Sequence, residues 1–145
     1  MLFCILILYT MAKQVFINLA VSDLQKSMDF YTSLGFSNNP QFSDDTAKCM
    51  VWSENIYVMI LNHDKFKSFT KKEIADTKSK IAWLFSLSMD SVDDVNKTMT
   101  NWLNTWGIEP NETRDYWFMY QRTIEDFDWH SWEIFFMDMS KFPNT

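Results

Sequence analysis

Val15-Phe16-Ile17-Asn18-Leu19-Ala20-Val21-Ser22-Asp23-Leu24 and Trp83-Leu84-Phe85-Ser86-Leu87-Ser88-Met89-Asp90-Ser91-Val92 carry one signal twice. Each is a short apolar run that ends in Ser and Asp and then enters a helical pattern. Ser and Asp suit an N-cap, where a side-chain oxygen accepts a free backbone N–H. After Asp23, apolar residues fall at Leu24, Met28, Phe30, Tyr31 and Leu34, which is helical spacing, and Gly35 supplies a left-handed stop. After Ser91 the pattern returns at Val92, Val95, Met99, Trp102 and Leu103, and Trp106-Gly107 ends it.

Strand-like pieces follow each helix, at about 46–52 and 55–61 in the first half and about 116–123 and 131–137 in the second. Tyr57, Met59 and Leu61 share one strand face, and Glu133, Phe135 and Met137 share another. The order is β-α-β-β(-β), twice. This predicts an α+β fold: two tandem modules, about 13–62 and 81–138, forming a curved mixed sheet with a central cleft. A unit that cannot bury its own sheet face must pack on its copy, so residues 11–145 read as a single domain. The polar stretch 63–80 between the modules reads as a linker with a short helix, a candidate lid.

A chain of 145 residues is long enough for a real core, and 47% hydrophobic with 22% charged residues is the balance of a globular protein. The net charge of −6 and the lack of a basic stripe argue against a nucleic-acid partner. Lys71, Lys72, Lys78 and Lys80 are diluted by Glu73 and Asp76 into a solvated face. Cys4 and Cys49 form no metal-binding pattern, and Cys49 reads as a small hydrophobe on a strand. The apolar run Leu2–Tyr9 is much shorter than the roughly 20 residues a membrane helix needs, and lacks the marks of a signal peptide. Residues 1–10 therefore read as a spurious or unstructured extension before a natural start at Met11, with a short membrane-association segment as the competing reading. A cytoplasmic protein with no membrane partner is expected.

Two stretches carry a resemblance to the vicinal-oxygen-chelate superfamily, the glyoxalase, bleomycin-resistance and extradiol dioxygenase fold. One runs from Phe16 to Phe36, with Val21-Ser22-Asp23-Leu24, Phe30-Tyr31 and Leu34-Gly35-Phe36. The other is Glu125-Asp126-Phe127-Asp128-Trp129-His130-Ser131-Trp132-Glu133, which is similar to that family's D-x-D-G-H-x-W-E ending. The resemblance covers about residues 13–139. It implies four metal-ligand positions facing the cleft, and these fall at Phe16, Leu84, Met59 and Glu133. Only Glu133 can serve. Phe and Leu cannot ligate, Met is too soft for hard divalent ions, and a catalytic ion generally needs about three protein ligands. A shifted register would bring in Asn18; His130 sits in the turn and is expected to face solvent or cap a strand end, and His63 in the linker has no partner by sequence.

The resemblance thus implies a metal-depleted member: a homodimer that binds a small molecule in its sheet cleft without a cofactor. A divalent-metal lyase of the lactoylglutathione-lyase kind and a non-catalytic protein-interaction domain are the alternatives. The expected cleft lining is Phe16, Asn18, Tyr57 and Met59 from the first module. From the second it is Leu84, Tyr120, Arg122 and Phe135. If buried, Glu133 would be a desolvated carboxylate fit for a general base. The competing role is a hydrogen bond across the sheet to Tyr120 or Asn18. Arg122 has its own alternative, a surface pair with Glu125 or Asp126.

The chain has two Gly and seven Trp. Ordinary usage of about 7% glycine would give roughly ten. The resemblance puts Trp106 at a helix end where the family has glycine, Trp117 where it has a small residue before a strand, and Trp129 at the Gly of the D-x-D-G turn. Two explanations compete: remodelled turns, or UGA codons that some bacterial lineages read as glycine, rendered as Trp by another table. Trp132 matches a Trp of the family motif.

Overall fold

The computed structural model describes residues 13–142, so the expectation for residues 1–10 lies outside the described residues. Strand β1, Val15–Val21, leads into helix α1, Leu24–Ser33. Asp23 caps α1 by accepting the Lys26 amide at 3.0 Å. Gly35, at φ 107°, turns the chain out of the helix. The first module continues with β2 (Ser37–Asn39), β3 (Ala47–Ser53) and β4 (Ile56–Asn62). A five-residue helix, α2 (His63–Lys67), opens the linker. The second module is β5 (Leu84–Ser88), α3 (Val92–Leu103), β6 (Arg114–Asp115), β7 (Met119–Glu125) and β8 (Ser131–Met137). Ser91 caps α3 as Asp23 caps α1, accepting the Asp94 amide at 3.0 Å.

The modules share one topology. The strand orders are β1-β4-β3-β2 and β5-β8-β7-β6. In each, the strand before the helix runs parallel to the last strand, and the other pairs are antiparallel. The α+β class and the tandem modules are as the sequence predicts. The strands divide into two four-stranded mixed sheets, with β1 and β5 each at an edge. The strand expected from 116 starts at Met119, because residues 116–118 form a turn.

One core serves both halves. Alternation sends Leu19, Val21, Val58 and Ile60 of the first sheet, and Leu87, Ile124, Trp132 and Ile134 of the second, against the helices. There α1 meets α3. The Phe30 ring stands edge-on to Trp102 with centroids 4.5 Å apart, and Tyr31 stands edge-on to Trp132 at 5.8 Å. Gly107 is required by this packing: a Cβ there would lie 2.4 Å from Cδ1 of Trp102. Among the described residues, three non-glycine residues have positive φ: Trp106 (61°), Trp117 (68°) and Trp129 (61°).

Candidate functional site

With odd-numbered residues of β1 committed to the core, Phe16 and Asn18 face away from the helices. Register places Tyr57 opposite Phe16 and Met59 opposite Asn18. The Phe16 and Tyr57 rings stack at 4.6 Å, 9° from parallel. Asn62 caps α2 by accepting the Lys65 amide at 2.8 Å, so the helix starts as soon as β4 ends and folds back onto β1. This brings Phe66 and Phe69 over the strand. Between β1 and β5 they close a cleft of about 630 Å³, lined by Phe16, Asn18, Phe66, Phe69, Trp83 and Phe85. A deeper cavity of about 170 Å³ shares Asn18, Phe66, Trp83 and Phe85 with it and runs on to Ile74, Trp129 and His130. The outer cleft is largely aromatic, and the inner cavity mixes aromatic, aliphatic and polar side chains. Asn18 places an amide in both cavities; its one hydrogen bond is a long one back to the Phe16 carbonyl, 3.4 Å.

A second, polar cavity of about 380 Å³ lies on the open face of the second sheet, lined by Leu84, Arg114, Thr123, Glu125, Ser131 and Glu133. Glu133 is only half-buried. Its Oε2 accepts from Ser86 Oγ at 2.8 Å, across the β5–β8 pair. The burial on which the general-base reading depended is therefore missing, and its cross-sheet partner is Ser86 rather than Tyr120 or Asn18.

Tyr120 and Arg122 do not line the cleft. Thr123 pairs with Glu133, so residues sharing that face of β7 are odd-numbered; Arg122 pairs with Ile134 on the helix side. There Arg122 grips Glu109 with two bonds, Nε to Oε1 at 2.9 Å and Nη2 to Oε2 at 2.6 Å. Its Nη1 and the Tyr120 hydroxyl both donate to Asn96 Oδ1 on α3, at 3.0 Å each. The Glu109 carboxylate raises the Arg122 pKa further above its ordinary value. Arg122 thus ties β7 to α3 and to the segment behind it, and pairs with neither Glu125 nor Asp126.

The four positions implied as metal ligands do not converge. Leu84 and Glu133 border the polar cavity, while Phe16 borders the aromatic one. Tyr57, Met59 and Phe135 line neither. Among the described residues no three His, Cys, Asp or Glu side chains are grouped to hold a metal ion. The donor set does not fit a divalent centre.

A polar clasp joins the modules beside the aromatic cleft. Asp126, buried in the β7–β8 turn, accepts from the Tyr31 hydroxyl at 2.6 Å and from the amides of Asp128 and His130 at 2.9 Å each. Trp132 Nε1 donates to the Tyr31 oxygen at 3.3 Å. Burial pushes the Asp126 carboxyl up from the usual carboxylate range, against the pull of His130 and the Tyr31 bond. Burial, with Asp126 beside it, pushes the Tyr31 phenol well up too. The Ser22 amide donates to Asp128 Oδ1 at 2.9 Å, and His130 Nε2 donates to the Ala20 carbonyl at 2.8 Å. His130 is thus spent on joining the halves.

The sequence reading missed Phe66, Phe69, Trp83 and Phe85. The signal for the first two was a pair of Phe residues three apart in the polar linker, which presents both on one side of a helical turn.

No family model and no curated protein matches the sequence. Solved structures do resemble the fold. A hypothetical protein from S. aureus superposes with a TM-score of 0.73 at 22% identity, covering 88% of this chain and 95% of its own. A glyoxalase/bleomycin resistance protein/dioxygenase family enzyme from Burkholderia phytofirmans PsJN gives 0.72 at 14% identity, covering 87% and 99%. A glyoxalase-related enzyme from Fulvimarina pelagi gives 0.73 at 16%, covering 86% and 88%. The chain shares the fold of these solved structures, two of which are glyoxalase-type proteins.

Proposed function

From that fold as premise, we propose that the chain binds a small, partly aromatic molecule between β1 and β5 without a resident metal. The observation that carries this is the composition of the cleft wall: five aromatic side chains from three segments, Phe16, Phe66, Phe69, Trp83 and Phe85, surround one amide, Asn18. Stacking faces with a single polar anchor suit a flat ring bearing one hydrogen-bonding group. Trp83 is 73% exposed, which leaves its indole free to stack on a guest.

On the same reading the protein is cytoplasmic and works as a homodimer whose second copy covers part of the open sheet faces. Among the described residues no helix is long and apolar enough to cross a membrane. Tryptophan fluorescence during titration with a panel of planar heteroaromatic compounds tests the binding. Saturable quenching that Phe66→Ala weakens severalfold is the expected result. A panel that produces no saturable change, or binding untouched by Phe66→Ala, removes the reading. Equilibration with zinc, nickel or manganese followed by buffer exchange should leave no stoichiometric metal. Retention of one ion per chain would restore the metal-lyase alternative.

A further inference from the structure

We infer that Trp106, Trp117 and Trp129 stand where the polypeptide made in the cell carries glycine. Positive φ is uncommon outside glycine and falls mostly on Asn and Asp when it occurs. Here every described Asn and Asp avoids it, and three of the seven Trp adopt it. No other described residue except Gly35 does.

Each of the three occupies a different turn, and each turn has a place for glycine. At the end of α3 the Gly107 amide donates to the Trp102 carbonyl at 3.2 Å, a six-to-one bond that makes Trp106 the left-handed C′ residue. Before β7 the Phe118 amide donates to the Tyr116 carbonyl at 2.8 Å, two residues back. With φ at 68°, Trp117 is the centre of the rare, strained kind of γ-turn. Between β7 and β8 the Trp129 amide donates to the Asp126 carbonyl at 3.0 Å, and the Asp126 amide to the His130 carbonyl at 3.1 Å. That is a three-residue hairpin loop, and Trp129 is its left-handed bulge residue.

The indoles gain less than core tryptophans do: Lys26 stands 5.2 Å over Trp106 and Lys78 5.3 Å over Trp129, contacts with surface lysines. The three indoles are 50%, 71% and 37% exposed, whereas Trp102 and Trp132 are 0% and 1% exposed and form the centre of the core. Trp83 is also exposed, at 73%, but its backbone is ordinary; left-handed backbone is what sets Trp106, Trp117 and Trp129 apart. The codon that yields both readings is UGA, taken as glycine in the cell and as tryptophan in the written sequence; Trp102 and Trp132 are genuine and carry UGG.

The Trp129 indole also matters to the cleft. It borders the inner aromatic cavity and, on its other side, a cavity of about 400 Å³ that includes His63, Asp76 and Asp128. Ala20, Ile74, Ala75, Thr77 and His130 border both cavities too, so glycine at 129 widens the space beside the clasp, where Asp128 Oδ2 is buried without a hydrogen-bond partner among the described residues.

Peptide mass spectrometry of the protein purified from the organism that bears the gene tests the inference. Peptides spanning 106, 117 and 129 should have the masses of glycine forms, and the peptide spanning 132 that of tryptophan. Tryptophan at any of the three positions overturns it. A recombinant pair, the sequence as written and the triple variant W106G/W117G/W129G, gives an independent reading by urea unfolding. The triple variant should have the larger folding equilibrium constant, by about tenfold or more. A triple variant less stable than the written sequence overturns the inference as well.

Discussion

Replacing Asp126 by alanine removes the acceptor for three donors at once. The Tyr31 hydroxyl and the amides of Asp128 and His130 all end on its carboxylate, and Tyr31 and Asp126 are each at most 2% exposed. Water cannot take over without opening the core. A buried donor left unpaired costs about 1–3 kcal/mol, and some of this is returned by no longer burying a charge. The net loss expected is about 3–6 kcal/mol, a large part of the roughly 5–15 kcal/mol that stabilises a domain. Asp126→Asn is the informative companion. Its Oδ1 still receives both amides, its charge is gone, and only the Tyr31 hydroxyl loses its acceptor, for a cost of about 1–2 kcal/mol. Urea unfolding at neutral pH, followed by the emission of buried Trp102 and Trp132, measures both variants. An Asp126→Ala protein within about 1 kcal/mol of the parent, or an Asn variant as damaged as the Ala variant, would refute the reasoning. The pH dependence has a fixed sign. Because the folded carboxyl titrates above its unfolded value, its contribution is fully present below the unfolded value and is lost as pH rises through the folded one. Asp126→Asn should remove that decline.

Three further outcomes follow from the geometry. Gly107→Ala drives a methyl group into Trp102 and Ile124 and should lower stability by about 1–3 kcal/mol, measured by the shift in urea midpoint. Arg122→Lys keeps the charge but loses the two-pronged grip on Glu109 and the bond to Asn96; about 1–2 kcal/mol of destabilisation is expected, with ligand affinity unchanged, because the side chain lies behind the sheet. Glu133→Gln should alter stability by less than about 0.5 kcal/mol, since the half-buried group makes a single bond to Ser86; calorimetric unfolding checks this.

How far the fold could be read in advance depends on how local each signal is. The caps at Asp23 and Ser91 and the stop at Gly35 act within four residues, so the two β-α units stand where the sequence puts them. The edge strands β2 and β6, three and two residues long, are too short to show a periodicity and exist through pairing alone. The misplacement of Tyr120 and Arg122 has a sharper cause. Which face a β7 residue takes relative to Glu133 depends on counting through the turn at 126–130, and that turn contains a bulge. One extra residue there reverses the parity of the whole strand. Phe66 and Phe69 escaped because their partners lie across the sheet edge rather than nearby in sequence. The tryptophans were legible for the opposite reason: backbone handedness is a property of single positions.

The alternation along β1 and β4 separates two kinds of inheritance. Val58 and Ile60 answer only to the interior, Phe16, Asn18, Tyr57 and Met59 answer to what lies on the open face, and at the edge strand Ile17 and Leu19 touch both the core and the cleft. Substitution on one set leaves the other nearly untouched, so such a scaffold can exchange its chemistry repeatedly at little risk to folding. Shapes that agree at a TM-score near 0.7 while sharing 14–22% of their residues are what that freedom produces.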